Sequence, residues 1–260
     1  ADKLFHKPYD MRDVKVTEWH EDFPAFKEGV KDLDRMYQNV INSAFSSVST
    51  VASGMELLEV FSSLATRDSI VHTVMLCEET VYTLFAADLN AVKHHFDSLK
   101  RSPPLHSDHP RYSGAAIWTR TLQNRVKSQW LAIKNATFLN NRARMAELEP
   151  QYAVFVNALE EYINKLFLDW KISVEDLGPL TTMLESHLLK RDPGSRLLTL
   201  SFPAPLLSIF AEVYYWEKLR RTDVPATCHD IISQRDALRV LRANVALVVS
   251  DYNDILSSLT

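Results

Sequence analysis

LRVLRANVALVVSDYNDILSSL, residues 238–259, decides the fold class of this chain. Leu238, Leu241, Val245, Val248, Tyr252, Ile255 and Leu259 step by three and four residues in unbroken alternation. That is a heptad seam, the pattern of helices packed side by side at a shallow angle. Leu238, Leu241, Val245, Val248, Tyr252 and Ile255 are therefore expected to form a buried structural seam. An aspartate at Leu241 or Val248 would then bury an unpaired charge and destabilise the bundle by several kcal/mol.

The same periodicity runs back through the chain. Phe26, Val30, Leu33, Tyr37, Val40, Ala44, Val48 and Val51 repeat it. Gly54 offers a break, and Met55 to Leu64 reads as a short helix. Ile70, Val74, Cys77, Val81, Leu84, Val92, Phe96 and Leu99 mark a rod of about thirty residues, roughly 45 Å long. Pro103, Pro104 and Pro110 interrupt the pattern, because proline fixes φ and removes a donor. Helix resumes near Ser113 through Ile117, Leu122, Val126 and Trp130. A further long helix follows Glu149-Pro150 through Phe155, Leu159, Leu166 and Trp170, and Pro179 kinks or ends it. Leu184, Leu188 and Leu189 continue its apolar face. Asp192-Pro193-Gly194 reads as a turn, with glycine free to take positive φ. Leu197 to Phe202 reads as a short extended piece and Leu206 to Leu219 as a helix, while Pro225 suits the first turn of the final helix. Every proline then sits at or near a boundary or in the N-terminal lead-in. The prediction is an all-α chain, an elongated serial antiparallel helical bundle with at most one short extended segment near 197–202. Residues 1–260 form one segment on this reading, with possible sub-bundles 1–101, 111–190 and 203–260.

Composition agrees. The chain has 5 glycines in 260 residues, about 2% against a usual 7% or so, and long helices need few turns. Its hydrophobic fraction of 46% supports a substantial core. A net charge of −4 lacks the basic stripe that a nucleic-acid partner demands. No apolar run reaches the length of a membrane span, so no membrane partner is expected. Cys77 and Cys228 lie in apolar helical patterns and read as reduced, intracellular residues. The Ala1-Asp2-Lys3 start, without methionine, suggests a piece of a longer protein.

Chemistry-bearing motifs are missing. Gly29, Gly54, Gly114, Gly178 and Gly194 lie too far apart for a phosphate loop. His94-His95 diverge by about 100° on a helix, and His106-x-x-His109 in a Pro-rich loop reads first as solvated polar residues. Neither cysteine has a partner at zinc-site spacing, and no Gly-x-Ser-x-Gly elbow occurs. Glu78-Glu79 and Glu160-Glu161 read as solvated helix faces. No glutamate precedes a histidine by three, which argues against a carboxylate-bridged metal bundle. The chain is therefore expected to have no catalytic, cofactor-binding or metal site. Trp118, Trp130, Trp170 and Trp216 fall on or beside apolar stripes and are expected in cores. Tyr214-Tyr215-Trp216 cannot all face one core, which marks these residues as a possible partner contact.

Three blocks carry a family likeness. DPGSRLLTLSFPAPLLSIFAEVYYWEKL (192–219), LRVLRANVALVVSDYNDIL (238–256) and SPPLHSDHPRYSGAAIWTRTLQNRV (102–126) resemble the N-terminal tail of dynein heavy chains, in the family's order. The lead-in from Phe5 through Tyr9-Asp10 to Asp22-Phe23 is similar as well, so the likeness covers nearly the whole chain. The D-Y-N-x-I-L ending is closer to axonemal than to cytoplasmic members. Ser107-Asp108-His109 and Phe202-Pro203-Ala204-Pro205 depart from the family's loops. The resemblance implies a non-catalytic structural and assembly segment, with ATP hydrolysis left to a distant AAA+ ring. Its implied partners are dynein intermediate and light chains or another heavy chain. Its implied location is the cytoskeleton, in the axoneme of a cilium or flagellum. An unrelated helical scaffold or tethering-complex subunit is the alternative reading.

Overall fold

Long helices account for most of the molecule. The computed structural model describes residues 18–177, 180–185 and 188–259. Its helices are α1 (Glu18–Phe45), α2 (Val51–Phe61), α3 (Asp68–Leu99), α4 (Arg111–Asn135), α5 (Arg142–Glu175), α6 (Ala204–Lys218), α7 (Ala226–Ser233) and α8 (Arg235–Leu259). Strands β1 (Leu189–Arg191) and β2 (Leu198–Leu200) form one antiparallel hairpin, with Leu189 opposite Leu200 and Arg191 opposite Leu198. The fold class is all-α, as the periodicity predicts.

Several breaks differ from the sequence reading, each for a physical reason. Pro24 and Pro150 lie inside α1 and α5 rather than at their ends. The start of α5 is set instead by Asn141, whose side-chain oxygen accepts the Arg144 N–H at 3.1 Å, and by Glu78, whose carboxylate accepts the backbone N–H groups of Asn140 at 3.1 Å and Asn141 at 3.0 Å. Those are donors a helix start otherwise leaves unmatched. Gly54 does not break the chain; it sits in α2, where a Cβ would stand 2.6 Å from Val81 Cγ2, so it permits close helix packing. Pro225 precedes the short α7, and α8 begins separately after Gln234. Leu188 and Leu189 leave the helical pattern, and Leu189 belongs to β1. In the hairpin loop the left-handed residue is Arg196 (φ 58°), not Gly194. Asp192 holds that loop by accepting the Ser195 N–H at 2.8 Å. Pro179 and the lead-in around Phe5 and Tyr9 lie outside the described residues.

The chain divides into two compact units, residues 1–94 with 125–154 and residues 95–124 with 155–260. The divisions fall within α3, α4 and α5 and not at the prolines, unlike the stretches 1–101, 111–190 and 203–260. A long helix can serve more than one core, so the ends of helices do not mark the divisions between units.

In the first unit, Leu58, Ile70, Val81, Phe85, Trp130 and Ile133 are all buried. Trp130 lies 5.4 Å from the Phe85 ring and 5.1 Å from that of Tyr152. Asp34 of α1 pairs with Arg67 at 2.5 Å and accepts the Ser69 hydroxyl, which fixes α1 against the start of α3. By length and composition α3 could cross a membrane, contrary to the reading that no segment could. Ile70, Val74, Cys77, Val81, Phe85 and Leu89 are buried inside the protein, which is how a core helix passes the same test.

In the second unit, Trp170, Trp216 and Phe167 form an aromatic centre, with Phe167 4.9 Å from Trp216. Ile163, Leu206, Val213, Cys228 and Ile231 pack around it. Glu212 of α6, 2% exposed, accepts the Tyr112 N–H at 2.8 Å and the Ser113 N–H at 2.7 Å. It thereby caps α4 and places a negative charge at the positive end of that helix.

Candidate functional site: split heptad columns and a basic groove

The predicted seam on α8 splits into two columns. Leu238 is buried, and Val245 and Tyr252 are half-buried. Leu241, Val248 and Ile255 are exposed, with Val248 at 59%. The expectation that all six form one buried line is therefore corrected. The reason is local: α8 packs against β2 through a face adjacent to the seam. Asn253 makes that contact specific, accepting the Leu198 N–H at 2.8 Å and donating to the Leu198 carbonyl at 2.9 Å. Its amide continues the pairing of β2 as a strand would. Arg191 of β1 donates to the Tyr252 hydroxyl at 3.2 Å. The D-Y-N stretch thus works as a clamp on the hairpin, a role its spacing did not reveal.

The heptads of α1 split in the same way. Val30, Tyr37 and Ala44 are half-buried, while Phe26, Leu33 and Val40 are exposed, with Val40 at 58%. A column of apolar residues seven apart lines one helix face. Each unit therefore carries a helix with one heptad column turned inward and the other open.

The Tyr214-Tyr215-Trp216 triplet also divides. Trp216 is wholly buried, which removes it from any accessible contact, whereas Tyr215 is half-buried and Tyr214 exposed. Both tyrosines line a groove of about 640 Å³ between α6 and α8. Phe202 and Phe210 add apolar surface, and Arg235, Arg239 and Arg242 of α8 add charge. Arg235 is balanced by Glu217 at 3.6 Å. Among the described residues, Arg239 and Arg242 have no carboxylate partner. The Lys218 ammonium stands 4.3 Å from the Tyr214 ring centre and 5.2 Å from that of Tyr215.

Several other titratable groups among the described residues serve packing or pairing. Burial pushes the Cys77 thiol up to about 11 and raises that of Cys228, so neither is a ready nucleophile. His109 packs on Tyr215, ring centres 4.9 Å apart, and His106 lies 3.7 Å from exposed Asp108. Glu78 and Glu160 are not solvated-face residues. Glu160 binds Arg120 at 3.0 Å and Arg221 at 2.9 Å. Although burial pushes its carboxyl up, Gln123 and the two guanidinium groups together hold it below the usual range. Sequence reasoning missed the caps of Glu78 and Glu212 because their partners lie 62 and 100 residues away.

Comparison with known proteins agrees with the architecture. The family model described as dynein heavy chain, N-terminal region 1, matches residues 1–260. The chain is 39% identical over 253 residues to the Dynein-1-beta heavy chain, flagellar inner arm I1 complex, of Chlamydomonas reinhardtii. It is 34% identical over 249 residues to Dynein axonemal heavy chain 2 of Homo sapiens. These alignments cover 96% and 95% of the chain, which spans 6% of the length of either relative. With a match over its whole length and a helical fold to accompany it, this chain belongs to the dynein heavy chain N-terminal region 1 family.

Proposed function

We propose that this chain is a non-catalytic assembly segment of an axonemal dynein heavy chain tail. It holds intermediate or light chains, or a neighbouring heavy chain, and carries load toward the doublet microtubule of a cilium or flagellum. The observation that carries the proposal is the open heptad column on α8: Leu241, Val248 and Ile255. Exposed apolar residues at helix-pairing spacing suit a helical partner better than solvent. The column Phe26, Leu33 and Val40 on α1 offers a second face of the same kind. Family membership sets aside the reading of an unrelated scaffold.

The test uses the chain as bait in ciliary extract, with mass spectrometry of what it retains. Dynein subunits should be recovered by the wild type, and their yield should fall for Leu241→Asp/Val248→Asp or for Leu33→Asp/Val40→Asp. Recovery that neither pair of substitutions changes, or no dynein subunit at all, overturns the proposal.

A further inference from the structure

We infer that the groove between α6 and α8 is a binding site for an acidic peptide segment anchored by apolar side chains. The inference does not depend on the open heptad columns. Its first support is charge. This chain has 33 acidic and 29 basic residues, yet the α8 wall of the groove presents three arginines and no carboxylate. Glu217 and Asp236 stand beside Arg235 at 3.6 and 3.9 Å, while Arg239 and Arg242 have no carboxylate partner among the described residues. Lys218, outside the groove lining, stands over the two tyrosine rings.

Spacing decides what kind of anion fits. Arg235, Arg239 and Arg242 sit at i, i+4 and i+7, so their Cα atoms climb about 10 Å along the helix. A single phosphate cannot engage both ends of such a row. Side chains two residues apart on an extended chain share one face at a separation of roughly 6.7 Å, so carboxylates at i, i+2 and i+4 can follow the row. The exposed guanidinium groups of Arg239 and Arg242 can each take a carboxylate in bidentate fashion, with Arg235 adding charge at the end of the row.

The opposite wall explains why a purely acidic chain is insufficient. Phe202, Leu207, Phe210, Tyr214 and Tyr215 line it with apolar and aromatic surface. At about 640 Å³ the groove lies within the 300–1,000 Å³ typical of binding clefts, enough to seat one or two apolar side chains. Tyrosine and arginine are the residue types that most often anchor interfaces. An extended segment with alternating acidic and apolar side chains would set its carboxylates on the arginines and its hydrophobes on the aromatic wall.

The experiment measures fluorescence anisotropy of a labelled synthetic peptide in which glutamates alternate with phenylalanine and leucine. A second peptide replaces every glutamate with glutamine. The acidic peptide should bind and the glutamine peptide should bind at least about tenfold more weakly, with affinity falling as salt rises. Arg239→Glu/Arg242→Glu should weaken the acidic peptide about tenfold or more without moving the thermal midpoint, since both side chains are exposed. Tyr214→Ala should weaken both peptides. Val248→Asp, on the open column, should leave peptide binding unchanged and so separates this site from the proposed subunit contact. Equal affinity for the two peptides, or indifference to the arginine substitutions, would overturn the inference. So would binding to phosphatidylserine vesicles through the same arginines with no binding of the acidic peptide.

Discussion

Each unit seats the start of a long helix on a buried glutamate from a different helix, and the two seats differ in what stands behind them. Glu78 receives Asn140 and Asn141, an exposed and a half-buried residue, so water can reach that turn. Its neighbour Glu79 is paired with Arg144 at 3.0 Å. Glu212 receives Tyr112 and Ser113, and Ser113 is wholly buried. The lesson is that capping strength depends on the alternative available to the N–H groups. Where water can substitute, a cap is a convenience; where it cannot, the cap is required.

The largest expected effect follows from that difference. Glu212→Ala leaves buried N–H groups without an acceptor and should destabilise by about 2–4 kcal/mol. Glu78→Ala should cost only about 1–2 kcal/mol, because solvent can take over. Equal losses in denaturant unfolding would break the comparison. The glutamine variants sharpen it, since each keeps an acceptor but removes the charge. Burial raises both carboxyl pKa values above the usual range, outweighing the N–H donors that act to lower them. A raised folded-state value means the native protein holds its proton longer than the unfolded chain. The stabilising contribution is then complete below the unfolded value and is lost as pH rises through the folded one. Wild-type stability relative to Glu212→Gln should therefore decline as pH rises upward from about 4.5. A difference that grows with pH would show the N–H donors outweighing desolvation.

A smaller effect distinguishes two close approaches. A Cβ on Gly54 would meet Val81 Cγ2 at 2.6 Å and Val48 Cγ1 at 3.3 Å, both on stiff branched side chains. A Cβ on Gly114 would meet His109 Cβ at 2.9 Å, on a loop between helices. Overpacking costs typically 1–3 kcal/mol, and the helical gain of alanine over glycine returns up to about 1. Gly54→Ala should thus lose about 1–2 kcal/mol, and Gly114→Ala less, because the loop can yield. Thermal midpoints of the two variants measure the order, and a reversed order would assign the tighter packing to the second unit.

Helical periodicity was legible because it is local: Val74, Val81 and Trp130 announce an inward face within one turn of themselves. Gly54 was misread because a glycine looks the same in sequence whether it ends a helix or admits Val81. Pro150 does not start α5 because the helix is already begun by the Asn141 cap on the Arg144 N–H and by Glu78 from another helix. The groove was half legible. Three adjacent aromatics on a helix cannot share one core, and the structure leaves Tyr214 exposed, Tyr215 half-buried and Trp216 buried. Trp216 carries two expectations, core packing from its apolar stripe and partner contact from the triplet, and its burial fits the first. Arg239 and Arg242 gave no signal, as charged residues on a helix are ordinarily solvated.

The smallest expected effect bears on the open columns, one in each unit. If the seams were buried throughout, Leu33→Asp and Val248→Asp would each destabilise the protein by several kcal/mol. With both positions exposed, each should stay within about 0.5 kcal/mol of wild type. Leu238→Asp, at the buried member of the α8 seam, should by contrast lose about 3 kcal/mol or more. The contrast within α8 is informative because the side chains share one helix and one heptad pattern. A large loss at Val248 would mean that its column is packed in solution by something this chain supplies. Near-neutral substitution there, paired with a large loss at Leu238, separates residues that hold the fold from residues left available to a partner. Applying the same pair of tests to Leu33 and buried Ile41 of α1 then decides whether both units divide their helices by the same rule.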